Sequence, residues 1–287
     1  MTTTLRPTGP ESRTADGRRS RTYEIRVNSR PVGAVDLAGP PGDGPAFGRL
    51  GRLHVDQGER RRGRGTVAAL AAEEILRGWG CTHVETSVPE PTAADGSEAE
   101  PPAGVRLLSA LGYAERSRHM TKELGERPGL PVGSTVRALT EAEFDAWWEA
   151  GSDTFVDTLV TWGFTREQAT ARSAAVRRTQ LPDGAASSGA RLSVLTCRGT
   201  DVGTLWLGFT GLPRSDVDAW VYDVNVIPER RGEGHGRSLM LAAERICAEA
   251  GAVRLGLNVF ADNPRARRLY TSLGYRLVER FHVKALL

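Results

Sequence analysis

Apolar positions in the second half of the chain change period in a readable order. Residues 191–197 (R-L-S-V-L-T-C) and 202–209 (V-G-T-L-W-L-G-F) are dense in β-branched and large apolar side chains. They predict two adjacent strands joined by the turn R-G-T-D, a hairpin. Residues 218–226 (D-A-W-V-Y-D-V-N-V) alternate large apolar with polar residues in their second half and predict a third strand. From Gly234 the spacing becomes helical, with Leu239, Ala243, Ile246 and Ala250 three and four apart on one face. Gly251 ends that helix. Residues 252–259 then predict a fourth strand, parallel to the third because a helix crosses between them. Residues 263–273 predict a short helix and 275–286 a closing strand. Upstream, two helical stretches lie between 140 and 179, the first opening with Thr140 and Glu143 at capping-box spacing.

The same pattern occurs earlier in the chain. V-D-Q-G-E-R-R-R-G-R-G-T from Val55 aligns without gaps on V-I-P-E-R-R-G-E-G-H-G-R from Val226. At that displacement Glu73 falls on Glu244, Ile75 on Ile246, Gly80 on Gly251 and Val88 on Val259. A later L-G-Y, at 111–113, matches 273–275 with nine extra residues in the first repeat. A duplicated unit follows. The Gly- and Pro-rich stretch 125–135 is the expected linker, dividing an abbreviated first domain (21–124) from a complete second one (136–287). Residues 1–20 are polar and aperiodic and are expected to form a mobile tail, and the acidic, proline-rich stretch 89–104 an exposed loop.

Composition narrows the setting. The 287 residues allow about two domains, and 39% hydrophobic with 25% charged residues is ordinary for a globular protein. No apolar run is long enough to span a bilayer, and the N-terminus lacks the apolar stretch of a secretory signal, so no membrane partner and a cytoplasmic location are expected. Cys81, Cys197 and Cys247 are scattered and odd in number, which predicts reduced thiols and no metal cage. Only Lys122 and Lys284 among the 38 basic residues are lysines, a bias read as genomic. A net charge of +3 does not call for a polyanionic partner, so nucleic acid is not expected; a homodimer stays open.

The chemistry is concentrated at Arg231-Gly-Glu-Gly234-His-Gly236, between a predicted strand and a predicted helix. Glycines there let successive backbone N–H groups face an anion, with the helix dipole adding to the attraction. Phosphate is the natural ligand. No lysine follows the last glycine, which excludes a Walker loop, and the G-x-G-x-G spacing with Asn258 and Val259 ending the next strand does not fit a dinucleotide turn.

V-x-P-E-x-R-x-x-G-x-G, a helix, and then L-N-V-F-A-D-N-P-R-A-R-R-L-Y-T-S-L-G-Y resemble the acetyl-CoA-binding half of the Gcn5-related N-acetyltransferases, the GNAT superfamily. The two-repeat arrangement resembles tandem acetyltransferases. The resemblance implies an α/β (α+β) fold of two domains, each a mixed, mostly antiparallel sheet flanked by helices with a central parallel strand pair. It implies acetyl-CoA as cosubstrate, no metal, and a primary amine as acceptor. Backbone groups of Val224 and Val226 would pair with the pantetheine arm. The amides from Arg231 through Gly232, Gly234, His235, Gly236 and Arg237 would hold the pyrophosphate. Asn263 would bond the pantetheine region, and Tyr270 would lie beside the thioester sulfur. Asp223 and Asn225 occupy the strand where many relatives carry an acid; only Asp223 can take a proton.

In the first repeat the turn around Gly63 and Gly65 persists, yet Pro101 and Leu108 stand where Asn263 and Tyr270 do. That domain is expected to be non-catalytic. The acceptor is expected against the upstream helices and hairpin, where Trp147, Trp148, Phe155, Trp162, Phe164 and Trp206 lie, most of them in the core. The competing reading is a CoA-binding module without turnover.

Overall fold

The computed structural model describes residues 2–15, 17–40, 45–91, 101–125 and 127–286. The expected mobile tail is largely ordered. Thr3–Pro7 is strand β1, and it pairs antiparallel with the strand at Arg19–Val27, Thr3 opposite Val27 and Pro7 opposite Tyr23. Leu5 is the apolar side chain that anchors it, packing on the first domain's core. A strand with one apolar residue leaves no periodicity to read. Its backbone donors are satisfied by a neighbour instead.

The chain divides into two compact units. One holds Met1–Ser117 with Glu279–Leu287; the other holds Arg118–Val278. These ranges differ from the expected boundary at 125–135, because each unit takes its final strand from the other repeat.

In the first unit, β1 is followed by β2 (Ser12–Arg13), β3 (Arg19–Val27), β4 (Arg30–Ala38), β5 (Phe47–Leu50), β6 (His54–Val55), α1 (Arg64–Gly78), β7 (His83–Pro89) and α2 (Ala103–Ala110). Strand β8 (Ala114–Glu123) begins here and continues in the second unit. The sheet order is β1-β3-β4-β5-β7. It is antiparallel except for β5 and β7, which run parallel because α1 crosses between them. Residues 279–285 close this sheet antiparallel to β7, Glu279 opposite Pro89 and Ala285 opposite His83. The core lies between the sheet and α1, around Val35, Leu37, Ala72, Leu76 and Val84. The acidic loop reading falls mainly on 92–100, outside the described residues.

The second unit contains β9 (Ser134–Ala138), α3 (Glu141–Thr161), α4 (Arg166–Gln180), β10 (Ala190–Cys197), β11 (Thr200–Gly208), β12 (Ala219–Val226), α5 (His235–Glu249), β13 (Arg254–Phe260) and α6 (Pro264–Ser272). Strand β14 (Arg276–Ala285) starts in this unit. Its order is β9-β10-β11-β12-β13, with β12 and β13 parallel, and residues 118–123 of β8 lie beyond β13. Both upstream helices carry capping boxes, Thr140 with Glu143 and Thr165 with Gln168. The alternation of the strands sends Leu205, Leu207, Ala219 and Val221 toward α5, and Leu192, Val194 and Trp206 toward α3 and α4.

The two lysines hold matching places. Lys122 Nζ sits 2.7 Å from Glu244 Oε2 on α5 and 5.7 Å from the Tyr275 ring centre. Lys284 Nζ sits 2.7 Å from Glu73 Oε2 on α1 and 5.4 Å from the Tyr113 ring centre. Both glutamates are 4% exposed. In each unit, therefore, the strand contributed by one repeat is fastened to the central helix of the other.

Candidate functional site

Strands β12 and β13 part where the chemistry was expected. They pair only from Ala219 opposite Leu255 to Val221 opposite Leu257, and the remainder of each strand runs free of the other. Tyr222 starts the divergence. The β11 ladder sets Trp206 opposite Asp223 and Leu207 opposite Val221, which leaves Tyr222 as the extra residue of a bulge. The Ile227 N–H donates to Val202 O at 3.1 Å. Antiparallel alternation then turns the N–H and C=O of Val224 and Val226 to the edge away from β11, toward the gap.

The glycine turn closes one end of that gap. Gly232 (φ 100°) and Gly234 (φ 89°) adopt the left-handed region, and Gly234 caps α5 without a side-chain hydrogen bond. Among the described residues, none of the N–H groups from Gly232 to Gly236 finds an acceptor in the chain. These are the orphan donors of a helix start, collected on one concave turn. The Arg231 Nε donates to Val226 O at 3.1 Å, tying the turn to the strand end. Arg237 donates to Ser272 Oγ at 2.6 Å, while Arg230 pairs with Glu233 at 2.8 Å. The His235 ring is buried 3.2 Å from Glu233 Oε2, so its side chain supports the turn rather than lining it. A Cβ on Gly236 would meet Leu269 Cδ2 at 3.4 Å, an ordinary contact between α5 and α6.

Asn263 caps α6, its Oδ1 accepting from the Ala266 N–H at 3.0 Å. Two turns on, half-buried Tyr270 packs against the core of α5 and β13 with its ring 6.0 Å from Tyr275. Burial, and after it the charge of Asp223, push the Tyr270 phenol up to about 12. Burial likewise raises Asp223 to about 6, opposed by a hydrogen bond from the Val224 N–H. The charge of Asp223 on β12 therefore reaches the phenol of Tyr270 on α6. A carboxylate of that pKa is ionised at neutral pH yet still a competent base, and the phenol stays protonated.

The Acetyltransferase (GNAT) family matches residues 3–95 and 185–275. The chain belongs to the GNAT acetyltransferase family. A mycothiol acetyltransferase of Kytococcus sedentarius is 31% identical over 245 residues, covering 78% of this chain and 79% of that protein. An uncharacterised N-acetyltransferase of Bacillus subtilis is 29% identical over 145 residues, 50% of this chain and 92% of its own length. Among solved structures, a Gcn5-related N-acetyltransferase from Sphaerobacter thermophilus shares the fold at a TM-score of 0.59 and 19% identity, over 92% of this chain and 80% of that one. A tandem GNAT protein from the clavulanic acid biosynthesis pathway does so at 0.50 and 23%, over 93% and 83%.

Against this GNAT frame the first unit keeps the turn and loses the pair. Arg60 Nε donates to Val55 O at 2.8 Å, the bond that Arg231 makes to Val226. Arg61 (φ 61°) and Gly63 (φ 73°) reproduce the left-handed positions. Yet Arg52 stands in register with Asp223, and Leu108, buried in the core, with Tyr270. His54 and Asp56 form an exposed contact of 3.5 Å at the strand end.

The aromatics expected near the acceptor cluster on the α3/α4 face. Trp206 stacks on Tyr222 at 4.8 Å and meets Trp147 and Trp148 edge-on at 5.9 and 6.2 Å. Phe164 is buried, Phe155 is half-buried, and Trp162 packs edge-on against Phe260 at 4.9 Å. Sequence reasoning missed Tyr222 and Phe260; the extra residue between two ladder registers is the signal for the first, visible only once β11 is paired. The Trp206 Nε1 and Thr204 Oγ1 beside Asp223 and Asn225 are buried without partners. Burial pushes the Cys247 thiol up to about 12 and Cys81 to about 11, which leaves both inert as nucleophiles. Among the described residues no group of His, Cys, Asp and Glu could hold a metal, and no helix is long and apolar enough to cross a membrane.

Proposed function

We propose that the second unit transfers the acetyl group of acetyl-CoA directly to a primary amine, and that the first unit performs no transfer. The observation that carries this reading is the parting of the parallel strands β12 and β13 beside a turn of unpartnered amides, with Asp223 on the parting strand; the influence of its charge on the Tyr270 phenol supports it. The Val224 C=O and the Val226 N–H, turned to the gap, suit an extended pantetheine arm, which they would bind as an added strand. The amides of residues 232–236, with the Arg231 and Arg237 side chains nearby, would hold the diphosphate.

An amine of pKa near 10 is protonated at neutral pH, so a base must take its proton. Asp223 fills that role as the amine attacks the thioester carbonyl. The Val226 N–H stabilises the charge developing on the carbonyl oxygen, and the Tyr270 O–H protonates the departing thiolate. Thiol release from acetyl-CoA, measured against a panel of amines, tests the reading; tight CoA binding with no turnover of any amine would replace it with a binding module.

Two further outcomes follow. The raised pKa of Asp223 makes its ionisation unfavourable to the fold as pH rises from about 4 to about 6. Asp223→Asn removes that cost, so above pH 7 the variant should resist urea better by about 2–3 kcal/mol while acetyl transfer collapses. In the parent enzyme kcat/KM should fall below about pH 6 as this carboxylate protonates. Gly234→Ala forces a Cβ into the left-handed region at the head of α5. Calorimetry should show CoA affinity falling at least about tenfold, since a left-handed alanine costs ~1–2 kcal/mol and the turn relaxes to avoid it.

A further inference from the structure

The first unit carries a cleft that the transfer reading does not use. It has a volume of ≈ 510 Å³, within the range of small-molecule sites, with residues 8–14 on one side and β4 and the end of β5 on the other. In the second unit the corresponding face is covered by the helices between β9 and β10 and by the Trp206–Tyr222 stack. In the first unit β1 runs to β3 with only β2 between them, and the face stays open.

The register shows what replaced the aromatic cover. Gly33 faces Val55 as Gly203 faces Val226, so Asp36, three residues past Gly33, corresponds to Trp206; counted back from Val55 and Val226, Gly51 corresponds to Tyr222 and Arg52 to Asp223. The apolar stack has become a polar floor. Arg21, Arg49 and Arg52 line it together with Asp36, Ser20 and Thr22. Asp36 is largely spent, accepting from Thr22 Oγ1 at 2.7 Å and facing Arg52 at 3.8 Å. Arg21 is oriented by a bond from its Nε to Gly9 O at 2.9 Å, with its Nη1 3.9 Å from Glu11. The Arg49 guanidinium finds no partner among the described residues although it lines the cleft. Three guanidiniums against two carboxylates, Asp36 and a Glu11 shared with Arg19, leave an excess of positive charge centred on Arg49, and its free planar fork suits a phosphate bound through two oxygens. Hydroxyls of Thr8 and Ser12 complete the lining; their protons go to Thr22 O at 3.1 Å and to Ser20 Oγ at 2.9 Å, which leaves their oxygens as acceptors for the O–H groups of a hydroxylated ligand.

We propose that this cleft binds a small phosphorylated polyol. The site is independent of acetyl transfer, since none of its residues belongs to the second unit. Isothermal titration of the full chain, with CoA saturating so that phosphate binding at a glycine turn is blocked, provides the test. Glucose 6-phosphate should bind at least about tenfold more tightly than inorganic phosphate, and glucose not measurably. Arg49→Gln and Arg52→Gln should each weaken glucose 6-phosphate about tenfold or more, with melting temperature and thiol release by the second unit unchanged. The proposal fails if glucose 6-phosphate does not bind at millimolar concentration, or if its binding survives the Arg49→Gln/Arg52→Gln double variant. Inorganic phosphate binding as tightly as glucose 6-phosphate would overturn the polyol half.

Discussion

Tyr270→Phe should leave a folded protein that binds acetyl-CoA normally and transfers acetyl about 10²- to 10³-fold more slowly. The ring packs against the core of α5 and β13, and phenylalanine retains that packing. Among the described residues the hydroxyl has no hydrogen-bond partner, so its removal strands none and urea stability should change by less than about 0.5 kcal/mol. What is lost is a proton source held neutral by burial and by Asp223. Because that proton is needed only as the thiolate departs, kcat and kcat/KM should drop together while KM for acetyl-CoA holds. Steady-state kinetics beside a urea melt check both halves. An unchanged kcat would remove Tyr270 from the chemistry.

Lys122→Met should destabilise the second unit by about 2–4 kcal/mol, a large share of a typical domain's stability. The substitution keeps the aliphatic stem and removes the ammonium 2.7 Å from Glu244. That carboxylate, 4% exposed and with its other oxygen already unpartnered, would be left charged in a low-dielectric site. The lysine is itself partly exposed, which keeps the expected value below the top of the range for fully buried pairs. Lys284→Met should act the same way on the first unit through Glu73. Adding Glu244→Leu to Lys122→Met should recover most of the loss, because the pair is then exchanged for apolar packing. Urea titrations of the single and double variants measure the coupling directly. A loss under 0.5 kcal/mol would make the pair ornamental.

The glycine turn was legible because left-handed backbone selects its residue: Gly232 and Gly234 announce a geometry that few other side chains tolerate. The parallel strand pair followed from a helical pattern between two strands, and the cap at Thr140 is local chemistry written within four residues. Three things were not legible. Strand β1 has Leu5 alone to anchor it and forms because β3 offers an edge. The bulge at Tyr222 belongs to a register between two strands, which neither strand encodes alone. The exchange of final strands concerns which neighbour a strand joins; residues 118–123 and 279–285 read as strands, but alternation carries no address. The lysines were the available clue. In a chain whose other basic residues are all arginine, two survivors at matching repeat positions mark sites where a compact ammonium under a tyrosine ring is required.

A ribosome delivers the chain from its N-terminus, at ~5–20 residues per second, and most domains can settle as they emerge. The first unit cannot finish on that schedule. Its sheet waits for residues 279–285, which are made after every residue of the second unit, so β7 must remain an open edge throughout synthesis of that unit. A premature stop after Val278 would spare every residue implicated in acetyl transfer and still leave the N-terminal sheet permanently unfinished.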